Sequence, residues 1–179
     1  MRALFTIFER YDAAKSLPPG ALPMSKDSLY LDDLAPGMRF TAGPITLTEE
    51  AIIAFAREFD PQPFHTDPEA AAASFFKGHV ASGWQTAGVT MRMLVDAAMP
   101  FAGGSIGLGV ELSWPRPVRP GDALSVVMEI MDITPSSTKP GRAIATLKTT
   151  TTNQNGEIVQ VMTSKNIIFR RGHVPGDTI

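Results

Sequence analysis

Between residues 123 and 169 the chain alternates. Leu124, Val126, Met128 and Ile130 are separated by Ser125, Val127 and Glu129, the period of two that turns every second side chain to one face of a strand. "RAIATLKTTTT" and "EIVQVMTSKNIIF" flank "NQNG", in which Asn155-Gly156 predicts a hairpin turn. Upstream the period becomes helical. Thr48 is placed to cap a helix, with Glu49 and Glu50 in the first turn, where the helix dipole favours negative charge. Ile52, Ile53, Ala56 and Phe59 give that helix an apolar face, and it should stop near Asp60, because a residue before proline avoids the α region. Asp67-Pro68 predicts the start of a second, short helix, with aspartate at the cap and proline at the first position. A third begins at Ser82 or Gly83 and is stopped by Pro100. Its body, "WQTAGVTMRMLVDAAM", is apolar on nearly every side, which predicts burial; the charged exceptions, Arg92 and Asp96, are four apart and able to pair.

Ahead of these helices, "APGMRFTAGPITLT" predicts a turn and then a short strand. The order is thus one strand, helices that include a long buried one, then three or four antiparallel strands. Helices and strands segregated in this way predict an α+β fold, an antiparallel β-sheet curled around a central helix, rather than a doubly wound sheet. Residues 1–16 can form a short amphipathic helix with Leu4, Phe5 and Phe8 on one side, and "LPPGALP" (17–23) predicts an extended linker. Residues 1–29 are therefore expected to be an extension or arm, and 30–179 the domain.

Composition narrows the functional classes. A length of 179 residues favours one domain with a sizeable core. A net charge of −2 gives no reason to expect a nucleic-acid partner, which usually calls for a basic face. The absence of cysteine removes disulfide and thiolate chemistry and fits a reducing cytoplasm. The longest uncharged run, Ala97 to Val110, is broken by Pro100 and four glycines and is shorter than the ~18 residues of a membrane span. The apolar run from Ala3 to Phe8 is six residues, below the ~7–15 of a signal-peptide core. A cytoplasmic protein is expected.

Candidate chemistry lies in two stretches. "FDPQPFHTD" (59–67) sets Asp60 five positions before His65, with Pro61 and Pro63 between them. Each alone has a plain role, Asp60 ending a helix and His65 packing in a loop. Together, in a loop where Asp60, Gln62 and Asp67 all precede prolines, they form a carboxylate and an imidazole with few backbone alternatives. Such a pair can fix a tautomer and exchange protons near neutral pH. Gln62 lies between them and can hold a water or a substrate amide. Asp60, His65 and Asp67 could also be read as metal ligands, but Asp67 is better explained as a helix cap. "GHVASGWQT" (78–86) opens the long helix. Its free N–H groups and positive dipole end could stabilise a carbonyl oxygen gaining charge; equally, Ser82 could simply cap and Gly83 simply permit close packing. His79 is expected to be structural. "GGSIGLG" (103–109) follows a helix and precedes a strand, the reverse of a dinucleotide fingerprint.

These stretches resemble the MaoC-like dehydratase family, which includes the (R)-specific enoyl-CoA hydratases, over roughly residues 30–170. The family's D-x-N-P-x-H motif stands here as "DPQPFHTD": Asp60, Pro63 and His65 match, and Gln62 replaces the usual asparagine. "GHVASGWQTAGVTMRML" is similar to the family's central-helix start, "LSWPRPVRPGD" to its next strand and turn, and "NIIFRR" to its last strand. Gly88 stands where some short-chain members carry serine. The resemblance implies a hotdog fold, a homodimer or larger assembly, and an acyl-CoA or acyl carrier protein thioester as substrate, with no cofactor or metal. It implies that Asp60 and His65 activate the water that adds to a 2-trans-enoyl thioester, giving an (R)-3-hydroxyacyl thioester, while the Gly83 amide binds the thioester oxygen. Gln62, Ser82 and Trp84 are the candidate substrate-binding residues. Trp84, Val89 and Met93 are candidates for the acyl pocket, with core packing the plainer role for each. Arg116, Arg119, Lys139 and Arg142 are the cations near strand ends that could meet CoA phosphates. A non-catalytic thioester-binding subunit and, more remotely, a thioesterase are the alternatives on the same fold.

Overall fold

The computed structural model describes residues 28–173; the expectations for residues 1–27 lie outside them. Tyr30 precedes a single 3-10 turn, Leu31–Asp33, which leads into strand β1, Arg39–Thr46. Three helices follow: α1, Glu49–Phe59; α2, Pro63–Thr66; and α3, Pro68–Ala73. The long helix α4, Gly83–Met93, continues into a π-helical turn at Leu94–Ala98. The remaining strands are β2, Ile106–Ser113; β3, Ala123–Pro135; β4, Arg142–Thr152; and β5, Ile158–Phe169. All five form one antiparallel sheet in the order β1-β3-β4-β5-β2, so β1 and β2 are its edges.

The alternating pattern does what it predicts. Leu124, Val126, Met128 and Ile130 are fully buried on the face of β3 that meets the helix. Ala143, Ala145 and Leu147 do the same on β4. Val89, Met93 and Leu94 of α4 and its π-helical continuation close the core from the other side. Caps fix where the helices begin. Thr48 Oγ1 accepts from the Ala51 amide, and Asp67 Oδ1 accepts from the Glu69 and Ala70 amides. Each satisfies donors that a helix start leaves unpaired. Arg92 Nε pairs with Asp96 Oδ2 at 2.6 Å.

Three expectations change. Phe59 does not join the apolar face of α1; it is about half exposed and packs its ring at a tilt against Phe55. The stretch around His65 is not an open loop, because Pro63 starts a one-turn helix there. Most consequential, α4 is not buried all round. Trp84, Met91 and Val95 are 64%, 45% and 61% exposed, and spacings of seven and four place them on one stripe. A sheet of five strands wraps one side of a helix, and this chain has no second layer for the other among the described residues. Leu108 and Val110 on edge strand β2 are also exposed.

Gly43 shows where β1 depends on a residue without a side chain. Its φ is +104°, and a Cβ there would lie 2.7 Å from the Leu124 carbonyl oxygen. Gly43→Ala should therefore destabilise the domain by about 3 kcal/mol, combining a disfavoured backbone with a backbone clash. Thr48→Ala, which removes only a cap, should cost about 1 kcal/mol. Urea unfolding of the two variants checks the ranking.

Candidate active site

The sequence between α1 and α4 folds back on itself so that its two ends meet. Asp60 closes α1, its amide bonded to the Ala56 carbonyl. His65 lies in α2, and Ser82 is the N-cap of α4, its Oγ accepting from the Trp84 amide. The segment before α4 is held between two neighbours: the Val80 amide donates to the Phe64 carbonyl and the Ala81 amide to the Val118 carbonyl. That stitching fixes the Val80 carbonyl, which accepts from His65 Nδ1 at 2.8 Å. A carbonyl can only accept, so the proton of a neutral His65 is on Nδ1 and its Nε2 lone pair faces the opposite way.

What it faces is Asp60, with Nε2 and Oδ2 3.4 Å apart. Ser82 Oγ donates to Oδ2 at 2.7 Å, and Gln62 Nε2 donates to Oδ1 at 2.8 Å. Burial of the Asp60 carboxyl would raise its pKa, but the bonds from Ser82 and Gln62, joined by the attraction of His65 when that ring is protonated, outweigh it and hold the group below the ordinary 3.8. Asp60 is thus an ionised acceptor, and a neutral imidazole at His65 presents a second acceptor beside it. Two acceptors at this separation cannot bond each other. A water that donates one proton to each satisfies both.

His79 stands behind this pair. Its Nε2 bonds the His65 carbonyl at 2.9 Å and its Nδ1 meets Glu49 at 3.3 Å, which is the structural role expected of it. Gly83 opens α4, so its amide is one of those a helix cannot satisfy internally. A Cβ on Gly83 would lie 2.7 Å from Trp114 Cε2, so the glycine also allows the indole to press on the backbone. The glycine thus both opens the helix and admits the indole.

Asp60, Gln62, His65, Ser82, Gly83 and Trp84 all line one cavity of about 450 Å3. The chain brings the whole candidate set together, with different positions in it: Gln62 and Ser82 clamp Asp60, while Trp84 is at the exposed rim. Val89 and Met93 do not line it; they are core residues, facing the sheet. Of the four candidate cations only Arg116 lines this cavity, near Glu157. The Arg119 guanidinium is committed to the Phe76 and His79 carbonyls. Lys139 and Arg142 line a separate cavity beside the β3–β4 turn, the end of the sheet away from the start of α4. Asp67 is occupied by its capping bonds, and among the described residues no cluster of three or more acids and histidines could hold a metal ion. Sequence reasoning missed Phe64, Phe76 and Trp114, which form apolar walls, and the Val80 carbonyl. Nothing local marks them; they converge through the fold alone.

The Ser82 bond gives a pH signature. A carboxyl whose pKa is lowered by folding adds stability above its unfolded pKa, about 3.9, and loses it as pH falls through the folded value. Ser82→Ala should cost roughly 1.5–3 kcal/mol at pH 7. The gap to the native chain should be full above about pH 5 and narrow below about pH 3.9, leaving the smaller cost of the lost cap. Denaturant titrations across that range test it; a pH-independent gap would show that Ser82 does not act on ionised Asp60.

Several known proteins are similar to this chain. The family described as "MaoC like domain" matches residues 33–155. A crystal structure of the MaoC-like dehydratase from Rhodospirillum rubrum is similar at 54% identity with a TM-score of 0.80, covering 81% of this chain and 99% of that one. The (R)-hydratase from A. caviae involved in PHA biosynthesis is similar at 28% identity and a TM-score of 0.61, covering 74% of this chain and 96% of the other. The uncharacterized protein YdeM of Bacillus subtilis (strain 168) is 33% identical over 129 residues, 70% of this chain and 89% of its own length. With a sheet wrapped on one helix and a family match over most of the domain, the chain belongs to the MaoC-like dehydratase family and has its hotdog fold.

Proposed function

We propose that the protein is a hydro-lyase that adds water reversibly to a 2-trans-enoyl thioester, giving an (R)-3-hydroxyacyl thioester. The observation that carries this is the pairing of two acceptors, Asp60 Oδ2 and His65 Nε2, 3.4 Å apart, with the imidazole tautomer set from behind by Val80. Such a pair has a use for one water and orients its oxygen lone pairs away from the protein. Similarity to a MaoC-like dehydratase and to an (R)-hydratase supports the reaction class.

The steps follow from the acceptors. Asp60 already receives two strong hydrogen bonds and its pKa is depressed, so it is the poorer base and serves to orient the water. The water's proton goes to His65 Nε2 as its oxygen bonds to C3 of the enoyl group. The C2=C3 π electrons move toward the thioester, whose oxygen gains charge beside the Gly83 amide at the positive end of α4. The imidazolium then returns the proton from Nε2 to C2, which restores the thioester. One residue takes and returns the proton, so hydroxyl and hydrogen add to the same face. Dehydration is the reverse.

Gln62, the departure from the family motif, delivers its amide to Asp60. The departure therefore leaves a donor on the carboxylate, which supports the catalytic reading over the non-catalytic one. A homodimer is proposed through the uncovered stripe of α4 and the free edge of β2, because exposed Trp84, Met91, Leu108 and Val110 and an unpaired edge strand are what a second copy would cover. The substrate would be presented on CoA or on an acyl carrier protein.

Loss of enoyl-thioester absorbance over a panel of enoyl-CoAs tests the activity. Asp60→Asn and His65→Ala should each lower kcat by about 10²–10⁴-fold with unchanged folding by circular dichroism; near-native turnover would sink the roles. Binding without turnover by the native chain would favour the accessory reading, and release of free thiol the thioesterase. Val110→Arg should shift the sedimenting species from dimer to monomer.

A further inference from the structure

Trp114 is anchored from behind by a chain of buried polar groups. Its indole Nε1 donates to Gln160 Oε1 at 2.9 Å. Gln160 Nε2 donates to Thr90 Oγ1 at 3.0 Å, and the Thr90 and Thr151 hydroxyls meet at 2.9 Å. Gln160, Thr90 and Thr151 are all fully buried. The first member fixes which way the Gln160 amide is turned. An indole N–H can only donate, so Gln160 must turn its oxygen to Trp114 and its NH2 to Thr90, while either hydroxyl of the Thr90–Thr151 pair can be the donor. The chain ties the turn after β2 to β5, α4 and β4 through the middle of the core. It is not a default of a threonine-rich strand: Thr149, on the same face of β4, leaves its hydroxyl unpartnered.

The other side of the indole is where this matters. The ring presses on Gly83 so closely that a Cβ there would lie 2.7 Å away, and it meets Trp84 edge to face at 5.5 Å. It is 40% exposed and lines the cavity, so packing leaves one side open. We infer that Gln160 is a positioning residue: through the buried chain to Thr90 and Thr151 it locks Trp114 as a fixed apolar wall beside the Gly83 amide, and so sets where the thioester carbonyl rests. This depends on the reading that the cavity takes a thioester. An apolar wall beside a backbone donor keeps water from competing for it, and displacement of reacting groups by even an ångström is costly.

Gln160→Met keeps the length of the side chain and removes its hydrogen bonding. Two readouts separate the parts of the inference. In a Trp84→Phe background Trp114 is the remaining tryptophan of the two in the chain; there Gln160→Met should shift emission and increase acrylamide quenching. With both tryptophans present, Gln160→Met should lower kcat for enoyl-CoA hydration about 10- to 100-fold and move KM less than about threefold. Trp114→Phe breaks the same link, so adding Gln160→Met to it should cost little further. Unchanged quenching would overturn the anchoring whether or not the protein is a hydratase. Altered quenching with native kcat, or fully additive losses, would overturn the link to the site. Failure of the native chain to hydrate any enoyl-CoA would instead overturn the functional reading and with it the thioester role. Thr90→Val breaks the chain one link further back and answers the same questions if Gln160→Met does not fold.

Discussion

A backbone carbonyl accepts hydrogen bonds and never donates them, so the 2.8 Å bond between the Val80 carbonyl and His65 Nδ1 determines what the imidazole shows to the cavity. With its proton held on that side, a neutral ring offers a lone pair toward Asp60. The carboxylate is itself held ionised, chiefly because the Ser82 and Gln62 bonds oppose the cost of its burial. Two acceptors face each other across 3.4 Å, and the arrangement calls for a donor between them. Without the Val80 carbonyl, Nε2 could carry the proton and bond Asp60 directly, and the pair would satisfy itself.

The fold serves that hydrogen bond in layers. The Val80 segment is stitched to Phe64 on one side and Val118 on the other. His79 bonds the His65 carbonyl, and Arg119 holds the carbonyls of Phe76 and His79. Pro63 gives α2 its start and removes an amide that would have no partner there. These bonds are numerous, so Asp60 and His65 sit on a frame with little freedom to relax. The proposed proton transfer would draw on this preorganisation.

The same helix works on two sides. Its inner side, with Val89 and Met93, completes the core; its start offers an open amide at the cavity; its outer stripe is left bare. Among the described residues nothing covers that stripe, and β2 is an edge of the sheet. Core, cavity and uncovered face therefore constrain the same eleven residues, which leaves α4 few positions where substitution has a single effect.

The sequence by itself determined what local chemistry can determine. Alternation in 124–130 and the Asn155-Gly156 turn specified strands, the Thr48 and Asp67 caps specified helix starts, and Pro61 and Pro100 specified helix ends. The spacing of Asp60 and His65, read with the motif, marked the candidate pair. Steric and hydrogen-bonding preferences within a few residues decide such features, so they are written in the local order of residues. The tertiary structure alone decided which groups surround that pair. Val80 comes from 15 positions along the chain and Ser82 from 22 beyond Asp60; Trp114 reaches Gln160 across 46. Phe59 turned outward and α4 kept a bare stripe for the same reason. Burial depends on what the rest of the chain brings alongside, and a residue's own neighbours in sequence do not specify that.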